Sequence, residues 1–228
     1  MPEVVKSTHP ITIHRSSGSV VFANRQVTLR PLGAADRDAI LRFARRLPAH
    51  DLRFLRRDIT DPGDVDDWLA NVAQGSAAAI TALFQDEIVG YATVDRGRLR
   101  WTAHVGEIRV LVDPSMRGGG LGAALLQIVF DAALEAGVRK LVAQMTVDQG
   151  AAATLFRRLG FEQEVIRRGH AMDVDGQLND LLVLSLIADD LENCDGCDRR
   201  VVRGMTLEGK PHCWACYELR AYEYGSGG

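Results

Sequence analysis

The sequence predicts a mixed α/β fold: a mostly antiparallel sheet flanked by helices, with a small cysteine-based module at its C-terminal end. Three observations carry that prediction. Segments of strand and helix periodicity follow one another irregularly between residues 20 and 187, with several strands in direct succession, which does not suit a doubly wound parallel sheet. A glycine cluster, Arg117-Gly118-Gly119-Gly120-Leu121-Gly122, joins a strand to an amphipathic helix in mid-chain. All four cysteines of the 228-residue chain fall between Cys194 and Cys216.

Residues 1–19 have little periodicity and read as a loose arm. Val20 to Phe22 and Val27 to Leu29 are short β-type runs around Asn24, a hairpin. Ile40, Phe43, Ala44 and Leu47 recur at helical spacing and stop at Pro48. Asp61-Pro62 starts a second helix: the aspartate can accept unpaired backbone N–H groups, and proline suits the first helical position. Val65, Trp68, Leu69 and Val72 make its buried face. Ala78 to Phe84 and Ile88 to Val94 flank the polar turn Gln85-Asp86-Glu87 and form an antiparallel pair. Val105 to Val112 is a strand ended by Pro114. The helix after the glycines buries Leu121, Leu125, Ile128, Ala132 and Ala136. Leu141 to Met145 is a strand, Ala152 to Leu159 a short helix closed by Gly160, and two last strands, about 164–172 and 179–185, flank Asp175-Gly176.

Hydrophobic residues make up 46% of the chain and charged residues 25%, enough for a core that needs no staples. The net charge of -3 excludes a globally basic nucleic-acid binder. No apolar run reaches the roughly 18 residues of a membrane span, and residues 1–24 lack a signal-peptide pattern. The expected location is the cytoplasm, where clustered cysteines favour metal over disulfides.

The glycine loop sits where a helix N-terminus leaves several N–H groups unpaired and carries partial positive charge. Glycines let a diphosphate approach that backbone, and Arg117 adds a permanent cation. Gly118, Gly120 and Ala123 fit the dinucleotide pattern G-x-G-x-x-G/A, yet a nicotinamide site would want an acidic residue about 20 positions on, where Arg139 and Lys140 stand. Arg117, Gly120 and Gly122 also fit R-x-x-G-x-G/A. With that motif, the later Leu155-Phe156-Arg157-Arg158-Leu159-Gly160-Phe161 and the order of elements, the chain resembles the GNAT acetyltransferase superfamily from about Val20 to Ile187.

The resemblance implies acetyl-CoA as cosubstrate, with its diphosphate on Arg117, Gly118, Gly119, Gly120, Leu121 and Gly122. It implies a splayed strand whose backbone at Val110, Leu111 and Val112 holds the pantetheine arm and stabilises an oxyanion. Gln149, where the motif usually has asparagine, and Phe156 would lie against the cofactor. A primary amine, either a small amine or amino acid or a protein lysine, would attack the thioester directly. Glu107 is the candidate general base, with His104 behind it; pairing with Arg109 is the structural alternative for Glu107. Phe156 replaces the tyrosine that gives a proton to the leaving thiolate in many relatives. Tyr91 is a possible substitute, and a thiol of pKa about 8.5 can leave unaided. Arg53, Arg56 and Arg57 could meet a carboxylate or form a solvated face, and Trp101 and His170 could line a pocket.

Cys194, Cys197, Cys213 and Cys216 are spaced C-x2-C-x15-C-x2-C, which suits a closed four-thiolate structural zinc site. The module resembles a treble-clef zinc finger, with a hairpin over Val201 to Pro211 and a helix after Cys213. Residues 190–228 hold five lysines and arginines against seven acids, which favours a protein partner, or packing on the acetyltransferase body, over DNA. The expected division is an arm at 1–19, an acetyltransferase domain at 20–189, a zinc finger at 190–222 and a tail at 223–228. The expected function is acetyl-CoA-dependent N-acetylation; the alternative is a catalytically weak, acetyl-CoA-sensing scaffold.

Overall fold

Eight strands lie in one sheet: β1 (Gly18–Phe22), β2 (Arg25–Pro31), β3 (Ala77–Phe84), β4 (Glu87–Arg96), β5 (Val105–Val112), β6 (Lys140–Thr146), β7 (Glu162–Met172) and β8 (Leu178–Ile187). Their order is β1-β2-β3-β4-β5-β6-β8-β7. The helices are α1 (Arg37–Arg46), α2 (Ala49–Leu52), α3 (Pro62–Ala73), α4 (Leu121–Glu135) and α5 (Gly150–Arg158). The computed structural model describes residues 13, 18–22, 25–53, 55–97, 99–173, 175–188, 191–195, 200–202, 206–207 and 210–211. Within the eight-stranded sheet every neighbouring pair is antiparallel except β5–β6. This is the mixed, mostly antiparallel sheet expected from the sequence.

Local chemistry accounts for most boundaries. The β3–β4 turn places Gln85 and Asp86 at φ 51° and 62°, the positive-φ pair of a two-residue hairpin turn. The Asp61 side chain accepts the Asp64 N–H at 3.0 Å, with Pro62 at the first helical position. Gly160 closes α5 at φ 87°.

The sheet separates two cores. On one side α4 packs Leu121, Leu125, Leu126, Val129 and Phe130 against Val94, Ile108, Leu141 and Leu184. On the other, Ile40 and Phe43 of α1 and Trp68 of α3 cover Ala79, Ile88, Tyr91 and Leu111. Two expectations change. The buried stripe of α4 also takes in Ala123, Leu126, Val129, Phe130 and Ala133, while Ile128 is only half-buried. The short α2 adds a helical turn too small to give a periodic signal.

Past β8, β9 (Leu191–Asn193) pairs antiparallel with β10 (Arg200–Val202), and Leu191 joins the α4-side core. Cys194, directly after β9, is buried. β11 (Thr206–Leu207) pairs with β12 (Lys210–Pro211), inside the stretch expected to be a hairpin. Cys197, Cys213 and Cys216, the expected helix after Cys213 and most of the N-terminal arm lie outside the described residues. Among the described residues no helix is long and apolar enough to cross a membrane.

Candidate active site

β5 and β6 run parallel but pair only from Val105 to Glu107 against Lys140 to Val142. Beyond Glu107 they diverge, and the β6-facing side of β5 at Val110, Leu111 and Val112 opens into a cavity of about 510 Å³. This is the splay expected for that strand. The opposite wall is α5 with the loop before it, through Gln149, Ala152 and Leu155. The phosphate-loop end is closed by Arg117, Gly118, Gly120, Leu121 and Gly122, and Arg158 adds a second guanidinium.

The loop suits an anion. Gly118 and Gly120 have φ of 81° and 84°, and a Cβ at either would meet nothing within 4 Å, so bare backbone lies beside open space. None of the N–H groups from Gly118 to Ala123 donates to an acceptor among the described residues. They gather at the N-terminus of the 15-residue α4, where the helix dipole adds positive charge. Arg117 donates Nε to Val112 O at 3.0 Å and Nη2 to Asp51 Oδ2 at 2.6 Å. His50 and Asp51 of α2 therefore line the cavity, which no sequence signal announced.

Three placements refine the expected cofactor contacts. Gly119 belongs to the loop but does not line the cavity. Gln149 lines it, but its Oε1 accepts the Thr146 N–H at 3.3 Å, so the carboxamide is partly engaged at the end of β6. Phe156 lies in the core, 3% exposed and edge-on to Phe161 at 5.1 Å between centroids, and it does not line the cavity. The reason is its position on α5, which turns Phe156 toward the sheet while Leu155 faces the cavity.

Glu107 faces the α1/α3 side of the sheet with Arg109 and, across β4, Asp95. Its Oε1 accepts from Nε of Arg109 at 2.9 Å and also from Nη2, and its Oε2 accepts from Nη1 of Arg56 at 2.5 Å. Burial alone would raise the carboxyl pKa, but Arg109 first and Arg56 second outweigh it and hold the group below the usual carboxylate range. In this arrangement Glu107 is the anion of an ion-pair triad and a weak proton acceptor, as the pairing alternative anticipated. Beside it Nη2 of Arg57 donates to Asp95 Oδ1 at 2.5 Å, and the Arg57 guanidinium lies 4.8 Å over the Trp68 ring. Asp95 Oδ2 is buried with no donor among the described residues.

One segment, 49–57, spans both halves of the site. Asp51 pairs with Arg117, Arg53 reaches Asp173 at the β7–β8 turn at 3.9 Å, Arg56 holds Glu107 and Arg57 holds Asp95. Each of the three arginines thus has a carboxylate partner, while Arg53 and Arg56 remain 37% and 41% exposed. Tyr91 is 3% exposed between Phe43 and Trp68, and burial pushes its hydroxyl up to about 12 despite the opposing charges of Arg57 and Arg109. It is core. His104 and His170 are exposed, as is Trp101, and none of the three lines the cavity.

Residues 45–161, just over half of the chain, match the acetyltransferase (GNAT) family. A curated relative from Escherichia coli strain K12, "[Ribosomal protein bS18]-alanine N-acetyltransferase", is 34% identical over 77 residues, covering 34% of this chain and 51% of the relative. A second, "L-methionine sulfoximine/L-methionine sulfone acetyltransferase" from Pseudomonas paraeruginosa, is 29% identical over 140 residues, covering 59% of this chain and 80% of the relative. The chain thus spans about half the length of the Escherichia coli relative and more of the Pseudomonas one. Among solved structures, a ribosomal-protein-alanine N-acetyltransferase from Brucella melitensis superposes with TM-score 0.61 at 26% identity, covering 70% of this chain and 98% of that one. A putative acetyltransferase from Salmonella typhimurium, solved with acetyl-CoA, gives TM-score 0.65 at 23% identity, with coverage of 75% and 99%; at that identity it speaks for the fold.

Proposed function

The chain belongs to the acetyltransferase (GNAT) family, and we propose that it transfers the acetyl group of acetyl-CoA to an amine. The observation that carries this reading is the row of undonated N–H groups from Gly118 to Ala123, beside Arg117 and facing a cavity that continues into the β5–β6 gap. Such a row fits a diphosphate. Arg117 and residues 118–122 are assigned to it, and the backbone at Val110, Leu111 and Val112, together with Gln149, to the pantetheine arm. The amine nitrogen bonds to the thioester carbon while a β5 N–H stabilises the oxyanion. The C–S bond then breaks, CoA leaves as thiolate, and the amine proton passes to solvent. Glu107 is assigned the role of holding Arg56 and Arg109 in place. Their charge disfavours a nearby ammonium and so favours the neutral, nucleophilic amine.

The relatives named above act on an alanine of a ribosomal protein and on amino-acid analogues. We extend to this chain an amine acceptor of that general kind. Phe156, which offers no proton to the leaving thiolate, favours a second reading in which the protein binds acetyl-CoA as a signal with little turnover.

We also propose a structural zinc site of Cys194, Cys197, Cys213 and Cys216, in a module from residue 190 to 222 after a transferase domain at 20–189. Four thiolates are a complete tetrahedral set. Cys194, buried directly after β9, is the described member of the set, and Cys197 follows three positions on in the sequence. The acidic balance of the module suits a protein partner, and the clustered cysteines a reducing cytoplasm.

Release of free thiol from acetyl-CoA across an amine panel tests the first reading. CoA binding without turnover on any amine would establish the second reading instead. Arg117→Glu should abolish CoA binding with the thermal transition intact; unchanged affinity would remove the phosphate-loop assignment.

A further inference from the structure

We propose that the acceptor carries a carboxylate beside its amine, as a free α-amino acid does, and that Arg56 reads that carboxylate. The inference rests on acetyl transfer at the cavity and specifies which acceptors that site takes.

Position comes first. The diphosphate end of the cavity lies after β5, so a pantetheine arm running along Val112 to Val110 brings its thioester toward Arg109 and Glu107. Arg56, Glu107 and Arg109 do not line the cavity itself; the gap between β5 and β6 begins at Glu107, and Arg109 directly precedes the cavity-lining Val110, so the cluster borders the end of the gap where the thioester would stop. Charge comes second. Asp95 and Glu107 supply two negative charges, and Arg56, Arg57 and Arg109 supply three positive ones. Among the described groups that these ion pairs join, one guanidinium charge is in excess, and apart from Arg56 their side chains are only 9–17% exposed.

Donor bookkeeping locates the excess. Both oxygens of Glu107 are taken. Arg57 is fixed between Asp95 and the Trp68 face. Arg56 is 41% exposed and makes its one hydrogen bond among the described residues through Nη1, so Nε and Nη2 present an open edge. Two parallel N–H groups match a carboxylate in bidentate geometry. The carboxylate of an amino acid would cancel the excess. The amide of a peptide N-terminus or the bare chain of a lysine would leave it in place.

The test is calorimetry on the full chain saturated with CoA, titrated with the twenty standard L-α-amino acids and their primary amides. At least one acid should bind, and its amide should bind at least about tenfold more weakly, the worth of one charge-assisted pair. Arg56→Gln should erase that preference, and Arg56→Lys, which keeps the charge, should restore part of it. Equal binding of acid and amide, absence of saturable binding by any acid, or a lysine variant as indifferent as the glutamine variant overturns the proposal. Thiol release from acetyl-CoA in parallel reactions separates the two levels. An acid preference without thiol release sinks acetyl transfer and leaves the carboxylate site standing. Thiol release with equal use of acids and amides sinks the carboxylate site alone.

Discussion

Glu107→Gln separates a proton acceptor from an electrostatic anchor. The glutamine keeps the shape of the side chain, loses its charge and turns an amide NH2 toward one of the two guanidiniums. Charge-assisted hydrogen bonds are worth about 1.5–3 kcal/mol each, and breaking a fully buried ion pair costs about 3–5 kcal/mol. Glu107 and Arg109 are 15% and 17% exposed, but Arg56 is 41% exposed and can turn to water. The loss should therefore fall below the buried-pair figure, at about 2–3 kcal/mol. For a chain of this size that lowers the melting temperature by about 4–12 °C. Thermal unfolding and a pH–rate profile, measured on the same preparation, decide the matter. The anchor role predicts the lowered transition together with an acidic limb of kcat/KM that stays in place. A fall in kcat of more than about a hundredfold with loss of that limb, at unchanged melting temperature, is the signature of a general base and would refute the reasoning.

Asp51→Asn removes the carboxylate that engages Arg117 in the absence of CoA; partly exposed pairs are worth about 0.2–1 kcal/mol, so CoA should bind about 1.4- to 5-fold more tightly, and weaker binding in calorimetry would show that Asp51 supports the site instead. Because the folded carboxyl of Glu107 titrates below its ordinary 4.5, its stabilisation is complete above that pH. It shrinks as the pH falls and the unfolded chain takes up the proton first. Melting temperature should drop more steeply with acid below about pH 4.5 in the parent than in Glu107→Gln; parallel curves would contradict the assignment. Elemental analysis should find zinc that Cys213→Ser releases while CoA affinity is kept; full metal content in the variant would argue against a four-cysteine site.

Most of the frame was legible because it depends on local rules. The Asp61-Pro62 start of α3, the glycine loop before α4 and the polar turn between the apolar runs of β3 and β4 each state their structure within a few residues. The site was legible where a motif is contiguous, as at Arg117 to Gly122. It was not legible where partners come from distant segments. Arg56 and Glu107 are 51 positions apart, and Arg117 and Asp51 are 66 apart. Nothing in the residue types near Asp51 predicts that its carboxylate will meet the phosphate-loop arginine. Phe156 shows a related limit: one step along α5 changes a cavity wall into core, and the spacing of a motif does not say which side chain faces which way.

β7 occupies the outer edge of the sheet, and its residues from Glu162 to Arg168 are all exposed. Its register against β8 slips twice, between Gln163 and Val165 and between Arg167 and Ala171. Such irregularities discourage an edge strand from recruiting further strands. They also leave its ladder thinly protected, so its amides should exchange with deuterium well before those of β4, which is paired with β3 on one edge and β5 on the other. The turn between β7 and β8 carries Asp173, the partner of Arg53 on the segment that crosses the candidate active site. That site therefore has a well-anchored floor on β5 and a tether that ends on the part of the sheet quickest to open. Local opening of a single hairpin could widen the way in while the phosphate loop and the α4 core stay closed.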